Sequence, residues 1–236
     1  MRILAITCHP DDLEIAAGGT IAKYAKNGDT VILCHVANGN LGHVIIEPDE
    51  LGKIREKEAE NAGKVLGAEE VINLNIGDLF VSSYDEDLAR RICEVVRYAR
   101  PDAIITHDDK DYMRDHVETG KAVFNGSFST SIIHYPTKSA PFAGNDCPIY
   151  YMDNLGGVNF LPTEYVDITD TIEIKIEALQ CHESQIKWML EHDHIDFCDF
   201  VRTCSKFRGF QCGVAYAEGF RSCMTWPRIP TKRYLP

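Results

Sequence analysis

Cys8-His9-Pro10-Asp11-Asp12-Leu13-Glu14 is the stretch from which the rest of the chain can be interpreted. The apolar run before it, from Ile3 to Ile6, has the length and composition of a buried β-strand. The apolar-periodic segment after it predicts a helix over residues 14–26. One histidine and two aspartates therefore lie in a tight turn at the carboxyl end of the first predicted strand. Open α/β sheets bind their ligands at that edge.

Strand and helix patterns alternate along the chain as far as about residue 125. Further strands are predicted at 30–36, 71–74 and 103–106, and further helices from about 48 to 67, 85 to 98 and 116 to 124. This alternation predicts an α/β fold with a doubly wound, mostly parallel sheet and helices on both faces. Later segments predict strands at 149–152 and 165–168 and a long helix over 171–191. Because no repeat or low-complexity segment interrupts the pattern, we expect a single domain over residues 1–236.

The composition excludes several classes of function. The formal net charge of −12 disfavours binding to nucleic acid, because an acidic chain repels the phosphate backbone. The longest apolar runs are far shorter than the roughly 20 residues of a membrane-spanning helix. The first residues already form a predicted strand and leave no room for a signal peptide. We therefore expect a cytoplasmic protein, and a homo-oligomer is compatible with the sequence.

The cysteines and glycines exclude two common kinds of site. There are nine cysteines, an odd number, and none of them has Cys-x-x-Cys spacing. We therefore expect free, buried thiols rather than disulfides or a cysteine-based zinc site. Gly18-Gly19-Thr20 lies inside the first predicted helix, and no Gly-x-Gly-x-x-Gly follows the first strand. The dinucleotide-binding fingerprint is thus absent.

A second cluster of histidines and aspartates follows the strand predicted at 103–106. Residues 107–116 read His-Asp-Asp-Lys-Asp-Tyr-Met-Arg-Asp-His. In a parallel sheet, this loop would open on the same edge as the turn at 8–14 and the glycine-rich loop at 37–43. His116 could then complete a set of metal ligands with His9 and Asp12. Three protein ligands with a position left for water are typical of a catalytic zinc site.

Each part of this pattern also has a simpler interpretation. Asp11 and Asp12 could cap the first helix, because carboxylates are favourable at a helix N-terminus. Asp115 could be the N-cap of the helix predicted at 116–124. The three aspartates within 108–111 could form a solvated loop or an all-oxygen site for magnesium or calcium, although the two histidines favour zinc.

The chain resembles the LmbE-like (PIG-L) family of deacetylases over nearly its whole length. The matching segments are His9-Pro10-Asp11-Asp12, Gly18-Gly19-Thr20, Asn38-Gly39, Arg55 with Glu58, Pro101-Asp102, Asp115-His116, Glu177-Ala178-Leu179 with His182 and Ser184-Gln185, and Ala217-Glu218 with Phe220. Members of this family have a Rossmann-like fold. They are zinc-dependent hydrolases that remove acyl groups from nitrogen, often acetyl from an amino sugar.

The resemblance implies a role for six residues. His9, Asp12 and His116 would bind one Zn²⁺ per chain, and other divalent metals are compatible with these ligands. Asp11 would be the general base, and Arg55 would reach the substrate. Asp115 would support catalysis by contacting the metal ligands without binding the metal itself. A metal-activated water would attack the amide carbonyl while Asp11 takes the proton. Asp11 would then pass this proton to the departing amine.

Two departures from the family pattern stand out. Many members have Glu directly after His-Pro-Asp-Asp, whereas this chain has Leu13 there and Glu14 next. Many members also have a histidine where this chain has Met113, and a thioether cannot stabilise an oxyanion or protonate a leaving group. Losing one such donor typically costs about 10²–10³ in rate. The candidate replacements are His107, His182, His192, His194 and Tyr112.

The alternatives to an amino-sugar deacetylase remain open at this point. An amidase acting on a larger amide conjugate would use the same residues. Because Met113 stands where many members have a histidine, the protein could also be a non-catalytic member of the family that binds metal or sugar. A nucleotide-binding regulator is supported by the fold alone. Tyr150, Tyr151 and Trp188 could line a sugar pocket or belong to the core.

Overall fold

The fold is built on one sheet of seven strands. The computed structural model describes residues 1–236 apart from the side chain of Asn145. The strands are β1 (Arg2–Thr7), β2 (Thr30–Ala37), β3 (Glu70–Ile76), β4 (Ala103–Thr106), β5 (Ile149–Met152), β6 (Glu164–Asp167) and β7 (Ala217–Ser222). Their order across the sheet is β3-β2-β1-β4-β5-β7-β6. The first five are parallel, and β7 runs antiparallel to both of its neighbours. The predicted mostly parallel sheet is confirmed.

Helices cover both faces of the sheet. They are α1 (Asp12–Ala16), α2 (Gly18–Lys26), α3 (Pro48–Leu66), α4 (Glu86–Ala99), α5 (Arg114–Phe128), α6 (Ile172–Gln180), α7 (Glu183–His192) and α8 (Phe197–Cys212). Successive strand residues point to opposite faces, so Ile3 and Ala5 join one apolar core while Leu4 and Ile6 join the other. This arrangement confirms the doubly wound α/β fold.

The strand register brings the two predicted loops together. β1 lies between β2 and β4, with Ile6 opposite Thr106 and Thr7 opposite His35. His9 and His107 therefore follow neighbouring strands at the same carboxyl edge, although about a hundred residues separate them in sequence. The predicted meeting of the two clusters at one edge is confirmed.

Two of the predicted helices are each divided in two. The helix predicted at 14–26 breaks at Ala17, whose φ of −141° is not helical. The break lets the first N–H groups of α2 point at a buried carboxylate of β7, as described below. The helix predicted at 171–191 breaks at residues 181–182, where the buried His182 lies 3.4 Å from Glu14. In both places a distant polar partner overrides the local helical pattern.

The segment after residue 191 contains two elements that the sequence analysis did not identify, α8 and β7. All nine cysteines are free, but the expectation that they are buried is wrong for Cys181, Cys198 and Cys204, which are half-buried, and for Cys212, which is exposed. No helix among the described residues is long and apolar enough to cross a membrane.

A buried ion pair ties β7 to the first crossover. The Lys175 ammonium lies 2.6 Å from the Glu218 carboxylate, and both side chains are almost fully buried. The same carboxylate accepts hydrogen bonds from the backbone N–H groups of Gly19 and Thr20, at 2.9 and 2.7 Å. Glu218 thus caps the N-terminus of α2 from a strand about 200 residues away.

Removing Glu218 should destabilise the fold strongly. We expect Glu218→Ala to lower the free energy of unfolding by about 3–5 kcal/mol, because Lys175 would be left charged and unpaired in the core. Urea unfolding followed by circular dichroism measures the change. Glu173→Ala is the matched control, because the Glu173 carboxylate of its bidentate pair with Arg202 is exposed and the pair should contribute far less than the buried one. Similar losses of stability in the two variants would contradict this assignment.

Candidate metal and catalytic site

A cavity of about 350 Å³ opens at the carboxyl ends of β1 and β4. All six residues to which the sequence analysis gave a role line this cavity: His9, Asp11, Asp12, Arg55, Asp115 and His116. Asp78 and His107 contribute further ionisable groups. The sheet topology brings these ionisable side chains together, because the turn after β1 and the loop after β4 are neighbours at the edge of the sheet.

Asp12 is the centre of the polar groups in this cavity. Its Oδ1 lies 3.2 Å from Nε2 of His116, and its Oδ2 lies 3.3 Å from Nε2 of His107. The same Oδ2 lies 3.4 Å from Nδ1 of His9 and accepts the His9 backbone N–H at 2.6 Å. One buried carboxylate is therefore surrounded by three imidazoles, as expected for a group that shares a cation with histidines.

His116 has the geometry of a metal ligand. Its Nδ1 lies 3.1 Å from Oδ2 of Asp111, whose side chain is only 2% exposed. Its Nε2 is buried and has no hydrogen-bond partner. Histidines that ligate metals usually donate the other ring N–H to a carboxylate, which fixes the ring and leaves one nitrogen for the ion. The donor set around Asp12 therefore fits a divalent metal.

The interpretation of residues 108–111 as a solvated loop is wrong for Asp108 and Asp111, whose carboxylates make contacts inside the protein. Asp111 orients His116, and Asp108 is buried and paired with the Arg221 guanidinium. The sequence analysis missed the role of Asp111. Its position five residues before His116, in a loop that leads into a helix, was the available signal.

Asp115 is not the N-cap of the helix that follows it. That helix, α5, begins at Arg114 with Met113 in the cap position. The Asp115 carboxylate instead accepts the backbone N–H of Leu79 at 2.6 Å and lies 3.4 Å from Nε2 of His9. Asp115 therefore orients His9 much as Asp111 orients His116, and leaves Nδ1 of His9 facing Asp12.

Two groups of three side chains, among the described residues, are close enough to hold an ion. One is Asp12, His107 and His116, and the other is Cys8, His9 and Asp12. His9 and His116 lie in different groups, although both face Asp12 and their ring centroids are 5.4 Å apart. The sequence analysis considered His107 only as a proton donor, although it is the first residue after β4. Its Nε2 accepts the Cys8 backbone N–H at 2.9 Å, which occupies the lone pair that a metal would need.

The ionisable groups around Asp12 shift one another's pKa values. Burial alone would raise the pKa of Asp12, but His116 and His107 outweigh it and hold the pKa well below its usual range. Burial lowers the pKa of His107 to about 4. In His116 burial acts in the same direction, but Asp12 and Asp111 raise its pKa to about 10. The site is thus organised around an ionised Asp12.

Asp11 is held in a strained conformation beside this cluster. Its φ of 111° lies in the left-handed region, which non-glycine residues seldom adopt. Nη2 of Arg55 lies 3.0 Å from Oδ1 of Asp11 and also donates to the Pro10 carbonyl. Burial raises the pKa of Asp11, while the Arg55 guanidinium opposes this rise. Arg55 is itself 3% exposed, so it clamps Asp11 from within the wall of the cavity.

Gly39 provides the space that Arg55 occupies. Nη1 of Arg55 donates to the Gly39 carbonyl at 3.3 Å, and a Cβ at Gly39 would lie 2.6 Å from the guanidinium carbon. The φ of Gly39 is +72°, which also favours glycine. Its loop is fixed by Asp78, whose carboxylate accepts the N–H groups of Gly39 and Leu41 at 2.8 and 3.0 Å. The glycine-rich loop after β2 therefore positions the catalytic candidate Asp11 through Arg55.

A side chain at Gly39 should disturb the site without removing any of its functional groups. We expect Gly39→Ala to lower kcat/KM about 10²-fold, because a displacement of about 1 Å at a reacting group has this effect. Steady-state kinetics and metal content measure the outcome, and metal content should not change. Gly28→Ala is the matched control, because Gly28 also has a positive φ but has open space around its Cβ position. Equal rates in the two variants would contradict a role for Gly39 in positioning.

The candidate replacements for the missing histidine lie in different surroundings. Met113, Tyr112 and His107 line the cavity. His182 is fully buried against Glu14, which is the residue shifted by one position from the family pattern. The remaining two candidates, His192 and His194, are exposed and do not line the cavity.

The three aromatic residues considered for a sugar pocket do not line the cavity. Tyr150 belongs to the apolar core, and Tyr151 packs against the other core cluster. Trp188 lies against the rings of His43 and His192, with centroid distances of 5.0 and 4.1 Å. Packing in or against the core therefore describes the two tyrosines, whereas Trp188 is half-buried outside both core clusters.

Comparison with known proteins gives relatives of nearly full length. A diacetylchitobiose deacetylase of Thermococcus kodakarensis is 29% identical over 231 residues, which cover 93% of this chain and 82% of that protein. The solved N,N'-diacetylchitobiose deacetylase of Pyrococcus horikoshii is 26% identical with a TM-score of 0.80, and the match covers 94% of this chain and 84% of that one.

A second solved structure shows that the fold alone does not determine the reaction. The 4-carboxy-2-hydroxymuconate hydratase GalB of Pseudomonas putida has a TM-score of 0.81 at 24% identity, with coverage of 99% of this chain and 100% of that one. At this identity the likeness concerns the fold.

The family model described as PIG-L, GlcNAc-PI de-N-acetylase, matches residues 4–126, which include both loops of the site. The chain therefore belongs to the PIG-L family.

Proposed function

We propose that this protein is a zinc-dependent hydrolase that removes an acyl group, acetyl in the simplest case, from the nitrogen of an amino sugar or its conjugate. The observation that carries the proposal is the orientation of His116. Asp111 holds one ring nitrogen, and the other is buried, unpartnered and 3.2 Å from Asp12, next to Asp11. The relatives named as diacetylchitobiose deacetylases support the substrate class.

Asp12, His116 and His9 would hold the metal. We favour His9 over His107 because the Cys8 N–H occupies the lone pair of Nε2 in His107, whereas Nδ1 of His9 faces Asp12. A bound zinc ion would supply Lewis-acid polarisation of the amide carbonyl and would make water more acidic. Asp111 and Asp115 would keep the two histidines in their orientations.

Asp11 would act as the general base and then as the general acid. It lines the cavity beside Asp12, and burial raises its pKa toward the range in which a carboxyl group can both take and return a proton. The Arg55 clamp would hold its carboxylate in one orientation during the transfer. The proton taken from water would leave on the amine, which departs as the free amino sugar.

Met113 leaves the oxyanion without the imidazole found in many members of the family. Tyr112 is the replacement that the geometry favours, because it lines the cavity and its ring centroid lies 6.4 Å from that of His116. His107 also lines the cavity, but its Nε2 is already engaged as an acceptor. The Tyr112 hydroxyl would therefore donate the hydrogen bond that an imidazole gives elsewhere.

Restoring the histidine tests whether a donor is missing. We expect Met113→His to leave kcat on an N-acetylated amino sugar within a few-fold of wild type, because Tyr112 would already supply the donor; restoring a donor that is missing would raise the rate about 10²–10³-fold. The measurement is steady-state acetate release at saturating substrate. Met224→His, at a residue that is 70% exposed and outside the cavity, is the control. A gain of about 10²-fold in Met113→His alone would mean that the donor is missing and would contradict the role given to Tyr112.

One experiment separates the proposed function from its rivals. Purified protein is analysed for bound metal and assayed for acetate release from N-acetylglucosamine, diacetylchitobiose and larger N-acetylated conjugates. The proposal predicts zinc at about one per chain and acetate from the small sugars. Acetate from large conjugates alone would favour an amidase. Bound zinc with no acetate from any substrate would favour a non-catalytic metal- or sugar-binding protein.

A further inference from the structure

We propose that the cavity has an apolar arm that accepts acyl chains longer than acetyl, so that the preferred substrates are N-acylated amino sugars with chains of several carbons. This inference rests on the proposed hydrolase function and concerns the substrate of the same site. The arm consists of Ile15, Ala16, Met152, Leu155, Met189 and Phe197. These residues come from α1, the end of β5 and its following loop, α7 and α8.

The arm is a continuation of the main apolar core. Ala16, Met152 and Phe197 belong to that core, and the other three arm residues pack against it. Ile15 and Ala16 lie three and four residues after Asp12, about one helical turn along α1, so the arm begins close to the reacting groups. An acetyl group needs only a small part of a cavity of about 350 Å³, and the remaining apolar wall would face water if acetyl were the whole acyl group.

The polar residues beside the arm offer little to a sugar. The Asp153 carboxylate is neutralised by Arg208, whose Nε lies 2.6 Å from Oδ2. Nδ2 of Asn154 donates one of its two N–H groups to the Val158 carbonyl at 2.8 Å, so Asn154 has one N–H and the acceptor Oδ1 left to offer. Several sugar hydroxyls placed in the arm would regain few of the hydrogen bonds that they lose to water, whereas methylene groups gain by leaving water.

The two sides of the cavity determine which part of the substrate lies in the arm. An amide carbonyl carbon carries the nitrogen on one side and the acyl carbon on the other. Arg55 and Asp78 line the cavity on the β2–β3 side of β1, whereas the end of β5 and its following loop lie on the other side of β1, so the amino sugar is placed beside Arg55 and Asp78. The acyl chain then points in the remaining direction, along Ala16 toward Phe197.

A series of acyl lengths tests the proposal directly. Release of free glucosamine is measured for N-acetyl-, N-butyryl- and N-hexanoylglucosamine with the metal-loaded protein. We expect kcat/KM to rise about three- to fourfold for each methylene that enters the arm, which makes the hexanoyl substrate better than the acetyl substrate by at least tenfold. If the acetyl substrate is hydrolysed and the longer-chain substrates are hydrolysed no faster, the proposed acyl-binding arm is wrong, but the proposed function stands. No hydrolysis of any member would overturn the proposed function itself.

A variant that fills the arm provides the matched test. Ala16→Leu should reduce the hexanoyl-to-acetyl ratio of kcat/KM to about one, whereas Ala140→Leu, on an exposed loop outside the cavity, should keep the wild-type ratio. An unchanged ratio in Ala16→Leu would overturn the proposal.

Binding gives a second readout that does not depend on turnover or on the folding of the Ala16 variant. Calorimetry with the unmodified protein should show tighter binding of hexanoate than of acetate, with a more negative heat-capacity change. Equal affinities would contradict an apolar acyl site. If an apolar glycoside of N-acetylglucosamine gains in kcat/KM while longer acyl chains do not, the arm receives the sugar side of the substrate and the proposal is wrong.

Discussion

Asp11→Asn is expected to lower kcat by about 10²–10⁴-fold while bound metal stays at the wild-type level. The amide of Asn has nearly the shape of the carboxylate but cannot accept a proton. Asp11 is not among the side chains grouped around the candidate ion, so its loss should leave metal binding intact. Because Arg55 would lose its charged partner, some loss of rate would also come from poorer positioning.

Steady-state kinetics with metal analysis of the same preparation measures this prediction. Asp170→Asn is the control, because Asp170 is exposed and its contact with Lys26 lies outside the cavity. A rate in Asp11→Asn within a few-fold of wild type would show that Asp11 is not the base. A loss of metal would show instead that Asp11 is needed to bind the ion.

Asp12→Ala is expected to abolish metal binding and activity together. Asp12 is the one residue common to both groups of side chains that could hold an ion, so either ligand set fails without it. The expected loss in kcat/KM is at least about 10³-fold, because metal polarisation of a carbonyl contributes several kcal/mol to transition-state stabilisation. His107 and His116 would also lose the carboxylate between them.

Metal content per chain and acetate release are measured on this variant after dialysis against zinc. Asp109→Ala is the control, because Asp109 is exposed in the loop that carries the buried Asp108 and Asp111. A variant without Asp12 that still binds one zinc per chain with unaltered affinity would place the metal elsewhere in the protein.

The sheet and the edge that carries the site could be predicted because their signals are local. A short apolar strand before His9, another before His107, and the helices between them are enough to require a parallel sheet. In such a sheet the loops after β1 and β4 share one edge. The meeting of the two clusters therefore follows from periodicity and topology, without any knowledge of side-chain contacts.

The helix breaks could not be predicted, because their causes are distant in sequence. The N–H groups of Gly19 and Thr20 are satisfied by Glu218, about 200 residues away. His182 faces Glu14, which is 168 residues away by their numbering. Local apolar spacing gives no information about such partners, so each pair of helices had the sequence pattern of one continuous helix.

The roles of several polar residues also depended on packing. Asp115 has the sequence context of an N-cap, and only the position of Leu79 and His9 shows that its carboxylate serves them instead. The resemblance implies that Arg55 reaches the substrate, whereas its guanidinium contacts Asp11 and the Gly39 carbonyl. The hydrogen-bond partners of these side chains depend on tertiary contacts between loops, and the periodicity of apolar residues in the sequence does not predict such contacts.

Anomalous diffraction at the zinc edge from crystals grown with zinc tests the central claim most directly. The account predicts one peak within about 2.0–2.2 Å of both an Asp12 carboxylate oxygen and Nε2 of His116, with His9 as the third protein ligand. His107 in the place of His9 would revise the third ligand alone. A peak bound elsewhere, with Asp12 and His116 sharing no ion, would contradict the account.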